Sequence, residues 1–169
     1  MPSTVETERK YIITKPSLDE LISRDGYTVS DITQIYLKGD NRSTHRIRRR
    51  AYGSAVQYTE TVKLRISGMS AIERERVITE SEYIKLSHDI ADGSRPIKKT
   101  RHTFRYRGFT IEIDVYPEWE NTAVLEVELA TEEVSPELPS FIRVIREVTG
   151  NKAYSNAALS RSFPDEDHL

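Results

Sequence analysis

Seven stretches of the chain carry ionisable side chains two residues apart. They are Glu6/Glu8/Lys10, Arg46/Arg48, Lys63/Arg65, Glu73/Glu75, Lys99/Arg101, Glu112/Asp114 and Glu126/Glu128, together eight carboxylates and seven cations. On an extended strand a spacing of two puts side chains on one face. Carboxylates supply the hard oxygen ligands that a divalent metal takes. Arginine grips an anion through a planar fork, and lysine acts as a mobile point charge. A surface that holds both signs suits a ligand that is itself mixed, such as a metal-bound polyphosphate. One charged face alone reads as a solvated strand whose cross-strand pairs are worth about 0.2–1 kcal/mol each. Seven such faces are harder to read that way, because Lys and Glu are depleted from strands.

The elements that must position these groups follow from the same alternation. Strands are expected over Val5–Ile13, Ile32–Lys38, Thr44–Tyr52, Gln57–Ile66, Ile72–Thr79, Ile97–Arg107, Phe109–Tyr116 and Ala123–Ala130. Arg107-Gly108 reads as a tight hairpin between two of them. Capping-box patterns at Ser17–Glu20 and Thr79–Glu82 open short helices, ended by Asp25-Gly26 and Asp92-Gly93-Ser94. A third helix is expected over Pro136–Thr149, with Leu138, Phe141, Ile142 and Ile145 on its apolar side. Tyr154–Phe163 reads as a last short helix or turn, and Pro164–Leu169 as a frayed tail. There is no βαβ rhythm. The opposite strand faces carry Ile47, Val62, Leu64, Ile111, Ile113, Val115, Leu125, Val127 and Leu129. The pattern predicts a mainly β, α+β fold: an antiparallel sheet closed into a barrel with its charged face inside and helices packed outside.

Composition narrows the function classes. The 169 residues fit one domain, expected over 1–163, with 164–169 as the tail. With 25 Lys+Arg against 27 Asp+Glu the net charge is −2, so the one-signed excess of a nucleic-acid or membrane surface is missing. The absence of cysteine excludes disulfides, zinc thiolates and thiol catalysis. The start MPSTVETERKYII has no apolar signal region, and a cytoplasmic location is expected. Asn41-Arg42-Ser43 fits a glycosylation sequon, read here as chance. His45, His88, His102 and His168 show no metal-ligand spacing. Neither a Walker A loop nor a nucleophile elbow is present.

The ordered motifs resemble those of the CYTH superfamily, the triphosphate tunnel metalloenzymes. Glu6-Thr7-Glu8-Arg9-Lys10 is similar to its ExExK signature, Gln34-Ile35-Tyr36-Leu37 to QxYL, Arg46-Ile47-Arg48 to RxR and Thr61-Val62-Lys63 to TxK. Glu73-Arg74-Glu75 is similar to ExE, Lys99-Thr100-Arg101 to KTR, Ile113–Tyr116 to IDVF/Y, Leu125–Leu129 to the EVE strand, and Val148-Thr149 with Tyr154–Leu159 to the closing VT…YxNxxL. The likeness runs from Glu6 to about Leu159 and is strongest to small bacterial tripolyphosphatases. Two positions depart from the pattern. Ala71 and Ile72 stand where an Arg often precedes the middle ExE, and Ala153 stands beside Lys152 where a basic pair is common.

The resemblance implies a closed eight-stranded tunnel that takes a triphosphate with Mg²⁺ or Mn²⁺, and an acid-anhydride hydrolase that turns tripolyphosphate into pyrophosphate and phosphate. Glu6, Glu8, Glu126, Glu128 and Asp114 are the expected metal ligands. Glu6, Glu8, Lys10, Glu73, Glu75 and Asp114 are the expected catalytic set. Lys10, Arg46, Arg48, Lys63, Arg65, Lys99, Arg101 and Lys152 are expected to bind the phosphates. Tyr36 and Tyr154 are read as structural, and Trp119 as a packed rim aromatic rather than a base-stacking platform. Three alternatives stand beside this reading: an adenylyl cyclase making cyclic AMP from ATP, a non-catalytic polyphosphate- or nucleotide-binding module, and a structural β-domain with solvated charges. The cyclase branch usually carries a His-Phe element near the first motif, and none precedes Glu6. The expected partner is a small-molecule triphosphate, with no membrane and no nucleic acid beyond a 5′-triphosphate end. An exposed apolar patch on the barrel would allow a homodimer.

Overall fold

The computed structural model describes residues 3–39 and 42–169, so Asn41 of the sequon lies outside the described residues. Among the described residues nine strands form one antiparallel sheet: β1 (Ser3–Thr14), β2 (Thr28–Tyr36), β3 (Thr44–Tyr52), β4 (Ala55–Arg65), β5 (Ser70–Ile78), β6 (Ile97–Tyr106), β7 (Phe109–Val115), β8 (Thr122–Glu128) and β9 (Val144–Glu147). The order β5-β4-β3-β2-β6-β7-β8-β1 closes on itself through β1–β5, which makes an eight-stranded barrel. Closure works because β1 is long. Residues 3–7 pair with β5, residues 8–14 pair with β8, and residues 11–13 also receive β9.

All eight expected strands are present, within a few residues at each end. Arg107 (φ 47°) and Gly108 (φ 83°) both lie in the left-handed region, the geometry of a two-residue hairpin loop. Both capping boxes form. Ser17 opens α1 (Leu18–Ile22) and Thr79 opens α2 (Glu80–Ser87).

The third expected helix does not form. Residues 129–143 are irregular, and Val144–Glu147 is β9. Pro136 and Pro139 break the helical pattern by removing donors and crowding the preceding turn. The β-branched run around Val144-Ile145 instead takes up the part of the β1 edge that β5 leaves open. Leu138, Phe141 and Ile142 still bury apolar surface against the barrel, as their hydrophobicity requires. The expected fraying of the tail is also overturned. The Glu166 carboxylate accepts from the backbone N–H of Glu120 (2.9 Å) and Asn121 (2.6 Å) and from Thr122 Oγ1 (2.8 Å).

Three apolar clusters hold the barrel. One, outside β1, β6, β7 and β8, contains Phe104, Ile111, Ile113, Leu125 and Val127 under α1 and the 129–143 segment. A second lies under α2 and contains Ile35, Leu37, Ile47 and Ile78. The third plugs one end of the lumen. Ile12, Ile97, Tyr116 and Val124 meet Trp119, Val148, Tyr154 and Leu159 there. Each fully buried side chain of this kind contributes about 1.5–3 kcal/mol. Buried ion pairs contribute roughly nothing net once desolvation is counted. The clusters therefore supply the stability that lets the lumen be charged. Among the described residues, no helix is long and apolar enough to cross a membrane.

Candidate active site: a two-signed lumen

The inward faces of the strands enclose a cavity of about 340 Å³. Glu6, Glu8, Lys10, Arg46, Arg48, Lys63, Arg65, Lys99, Arg101, Glu126 and Lys152 all line it. Alternation along five strands therefore brings together most of the residues expected from the sequence. Four expected residues do not line this cavity. Asp114 lies behind Lys99 and Arg101, Glu73 behind Lys63, Glu75 is held by Thr61 Oγ1 at 2.8 Å, and Glu128 stands at the rim opposite Glu8.

The charges sort into two walls. On the β1–β8–β7 side, Glu8 pairs in register with Glu128, Lys10 with Glu126, and Glu112 with Glu126. Lys10 Nζ lies 2.9 Å from Glu126 and 3.7 Å from Glu8. Arg101 reaches Glu126 at 3.0 Å, grips both oxygens of Asp114 and also contacts Glu112. Burial opposes the charge on Glu126, but Lys10 and Arg101 outweigh it and hold the carboxylate well below its usual range. Glu8 has no such surplus. Burial first, and the Glu126 charge second, push it up to about 7. Glu128 is raised as well, by burial and by Glu112.

The β3–β4 side is the reverse. Lys63 Nζ contacts Glu6 (2.7 Å) and Glu73 (3.0 Å). Arg46 reaches Glu73 only at 3.7 Å, and its buried Nε has no hydrogen-bond partner among the described residues. Arg48 donates to Gln34 Oε1 at 3.3 Å. Burial first, then the neighbouring Arg46 and Arg101 charges, push Arg48 down to about 10. Burial opposes the charge on Arg46, but Tyr36, Glu73 and Glu6 outweigh it and hold it above its usual range, so Arg48 is the cation of this wall left under-neutralised, the condition of an anion contact.

The walls of the cavity also include residues that alternation does not reveal. Arg42 and Ser43 come from the β2–β3 loop, and Ser155, Asn156 and Ala157 from the C-terminal segment. Tyr36, read as structural, faces the cavity and accepts from Gln34 Nε2 at 2.7 Å. Its place in the β2 alternation was the available signal. Arg65 lines the rim but donates to the carbonyls of Ser67 (3.4 Å) and Gly68 (3.0 Å) of its own hairpin. Trp119 is buried against Tyr116 and Phe163, as expected of a packed aromatic.

A metal would meet only oxygen donors on the acidic wall. Among the described residues, no three His, Asp or Glu side chains are grouped to hold an ion. Glu6, Glu126 and Asp114 are committed to cations. The elevated Glu8 and Glu128 leave negative charge that a hard divalent ion would relieve. The set fits an ion such as Mg²⁺, which takes one or two carboxylates and fills its shell with water and phosphate oxygens.

No protein-family model matches the chain. The fold and chain-wide likeness appear in the inorganic triphosphatase NE1496, whose structure is 26% identical, with a TM-score of 0.57, and spans 95% of this chain and 97% of that one. This chain therefore shares its fold with that triphosphatase along nearly its whole length. An inorganic triphosphatase of Acetivibrio thermocellus is 34% identical over 104 residues. That match takes in 60% of this chain and 64% of the relative, so it spans less than two thirds of the curated protein's length. The PH1819 protein of Pyrococcus horikoshii OT3 shares the fold at 18% identity, with a TM-score of 0.58 over 76% of this chain and 80% of that one.

Proposed function

We propose that this chain is a CYTH-superfamily protein and a metal-dependent hydrolase of a triphosphate, with inorganic tripolyphosphate as its substrate and pyrophosphate and phosphate as products. The observation that carries the proposal is the under-neutralised Arg48, beside an Arg46 whose buried Nε has no hydrogen-bond partner among the described residues, facing carboxylates that are themselves under-neutralised at Glu8 and Glu128. A metal-bound polyphosphate answers both at once. The triphosphatase names carried by two relatives support the same reading.

In this reading Arg46, Arg48, Lys63 and Lys99 grip the phosphate oxygens, and Arg42 and Lys152 extend the grip to the mouth. Such groups act by positioning the phosphoryl group and stabilising its charge. Glu8, with Glu128, would hold Mg²⁺ or Mn²⁺. Such an ion offsets charge on the attacking and leaving oxygens and makes its bound water more acidic. Water oxygen bonds to the terminal phosphorus as the bridging P–O bond breaks, and the electron pair departs on pyrophosphate. Arg101 and Asp114 serve as the frame. Arg101 is spread over three carboxylates, which fixes the acidic wall rather than leaving a free fork for substrate.

Incubation with tripolyphosphate, ATP and thiamine triphosphate, each with and without Mg²⁺ or Mn²⁺, tests this. Metal-dependent phosphate release, greatest from tripolyphosphate, is expected. Cyclic AMP and pyrophosphate from ATP would favour the cyclase. Tripolyphosphate binding without release of phosphate would leave a binding module.

A further inference from the structure

The closing motif Tyr154–Leu159 holds a polar contact that packing does not explain. The structure assigns Asn156 as a positioning residue: its carbonyl oxygen fixes the ammonium group of Lys99 in the lumen and so ties the docking of the C-terminal segment to the phosphate grip. This rests on the proposed phosphate-binding role of Lys99.

Three observations combine. First, Lys99 has little freedom. Its side chain and that of Asp114 are each 1% exposed, with Nζ 2.5 Å from Oδ2. Asp114 is shared with Arg101, which takes both of its oxygens. An ammonium has three donors. One goes to Asp114 and a second reaches Asn156 Oδ1 at 3.4 Å, which leaves one for the cavity that Lys99 lines. Second, Asn156 is itself oriented. Tyr116 OH donates to the same Oδ1 at 2.7 Å, and a flipped amide would turn its NH₂ toward the ammonium. Third, the backbone under Asn156 is fixed. It begins the short helix α3 (Asn156–Leu159), capped by Ser155 Oγ accepting from Ala158 N at 3.2 Å. Leu159 and Tyr154 on either side are buried in the plug with Ile12, Ile97 and Val124. The plug seats the segment, and Asn156 carries that seating to Lys99.

The test is a double-mutant cycle of Asn156→Ala and Lys99→Met, read as tripolyphosphate affinity by calorimetry without metal and as kcat and KM with it. Loss of a hydrogen bond to a charged group is expected to lower kcat/KM about tenfold, while the ligand-free melting temperature moves little. In the Lys99→Met background the same substitution should have almost no further effect, because its route is gone. Tyr116→Phe keeps the Lys99 contact and should cost less than Asn156→Ala. If Asn156→Ala is poorly folded, Asn156→Leu, of similar size and without the acceptor, replaces it in the cycle. Effects that simply add, or wild-type kcat/KM and affinity in Asn156→Ala, would overturn the assignment while leaving the hydrolase reading intact. A wild-type protein that neither binds nor hydrolyses tripolyphosphate would overturn both.

Discussion

The two walls of the lumen have the same architecture and opposite electrostatic condition. Each is a set of strands that points charges inward at a spacing of two. On the acidic wall Glu8 is pushed up to about 7, and on the basic wall Arg48 is pushed down to about 10. The physical causes match: burial first, like charges second. Where a wall carries its own counter-ions the opposite holds. Glu126, between Lys10 and Arg101, stays ionised although buried. Neutralisation inside the fold thus separates frame residues from ligand-facing ones. Glu126, Asp114 and Arg101 are matched by protein charges, whereas Glu8 and Arg48 are not.

Removing the unmatched charges should break this contrast most. Glu8→Ala is expected to lower metal-dependent tripolyphosphate turnover by about a thousandfold, since a catalytic metal is worth several kcal/mol of barrier. The far-UV spectrum and the cooperative melt should be retained. Near wild-type turnover in that variant would remove Glu8 from the metal site.

Lys63→Ala cuts the other wall and should reduce kcat/KM by about 10- to 100-fold, the size of a lost charge-assisted contact. An unchanged kcat/KM would take Lys63 out of the phosphate grip.

A third, smaller effect reads the acidic wall directly. The pKa of Glu8 is raised in the folded protein from an ordinary 4.5 to about 7, so the native state holds this proton more tightly than the unfolded chain. Stability from this group therefore falls as pH rises from 4.5 through 7, and the penalty is complete above that range. In chelator, Glu8→Gln should melt with wild type near pH 4.5 and above it at pH 8. The gap should be a few degrees, since each kcal/mol moves the midpoint by roughly 2–4 °C at this size. Millimolar Mg²⁺ should narrow it. A gap that is constant with pH would show that Glu8 is not held above its usual range.

The smallest effect is expected at Arg65, whose guanidinium is tied to the carbonyls of its own hairpin. Arg65→Ala should change kcat/KM by less than about threefold, within the usual worth of an exposed contact. A loss as large as that of Lys63→Ala would extend the basic wall to the rim.

Much of this was legible in the sequence. Period-two alternation located all eight barrel strands and put most of the charged residues on the lumen side, because in a strand the face of a side chain is decided by local geometry alone. Both capping boxes were readable for the same reason. The 136–149 segment was not. Its apolar spacing suits a helix, and the outcome turned on two prolines and on an open stretch of the β1 edge that exists only after the barrel closes. The tail shows the same limit, since Glu166 finds its three donors 44 to 46 residues away.

The sequence by itself thus determined the strands, the two-faced charge pattern and the residue types that could bind a metal and a polyanion. Tertiary structure alone decided which charges neutralise one another. Pairing across a barrel depends on register and shear, which bring Arg101 to Asp114, Glu112 and Glu126 and leave Arg46 Nε without a partner among the described residues. It also delivered Asn156 to Lys99 across 57 positions of chain. Coulomb interactions and desolvation act through space, so the difference between a frame residue and a ligand-facing one cannot be written in local spacing.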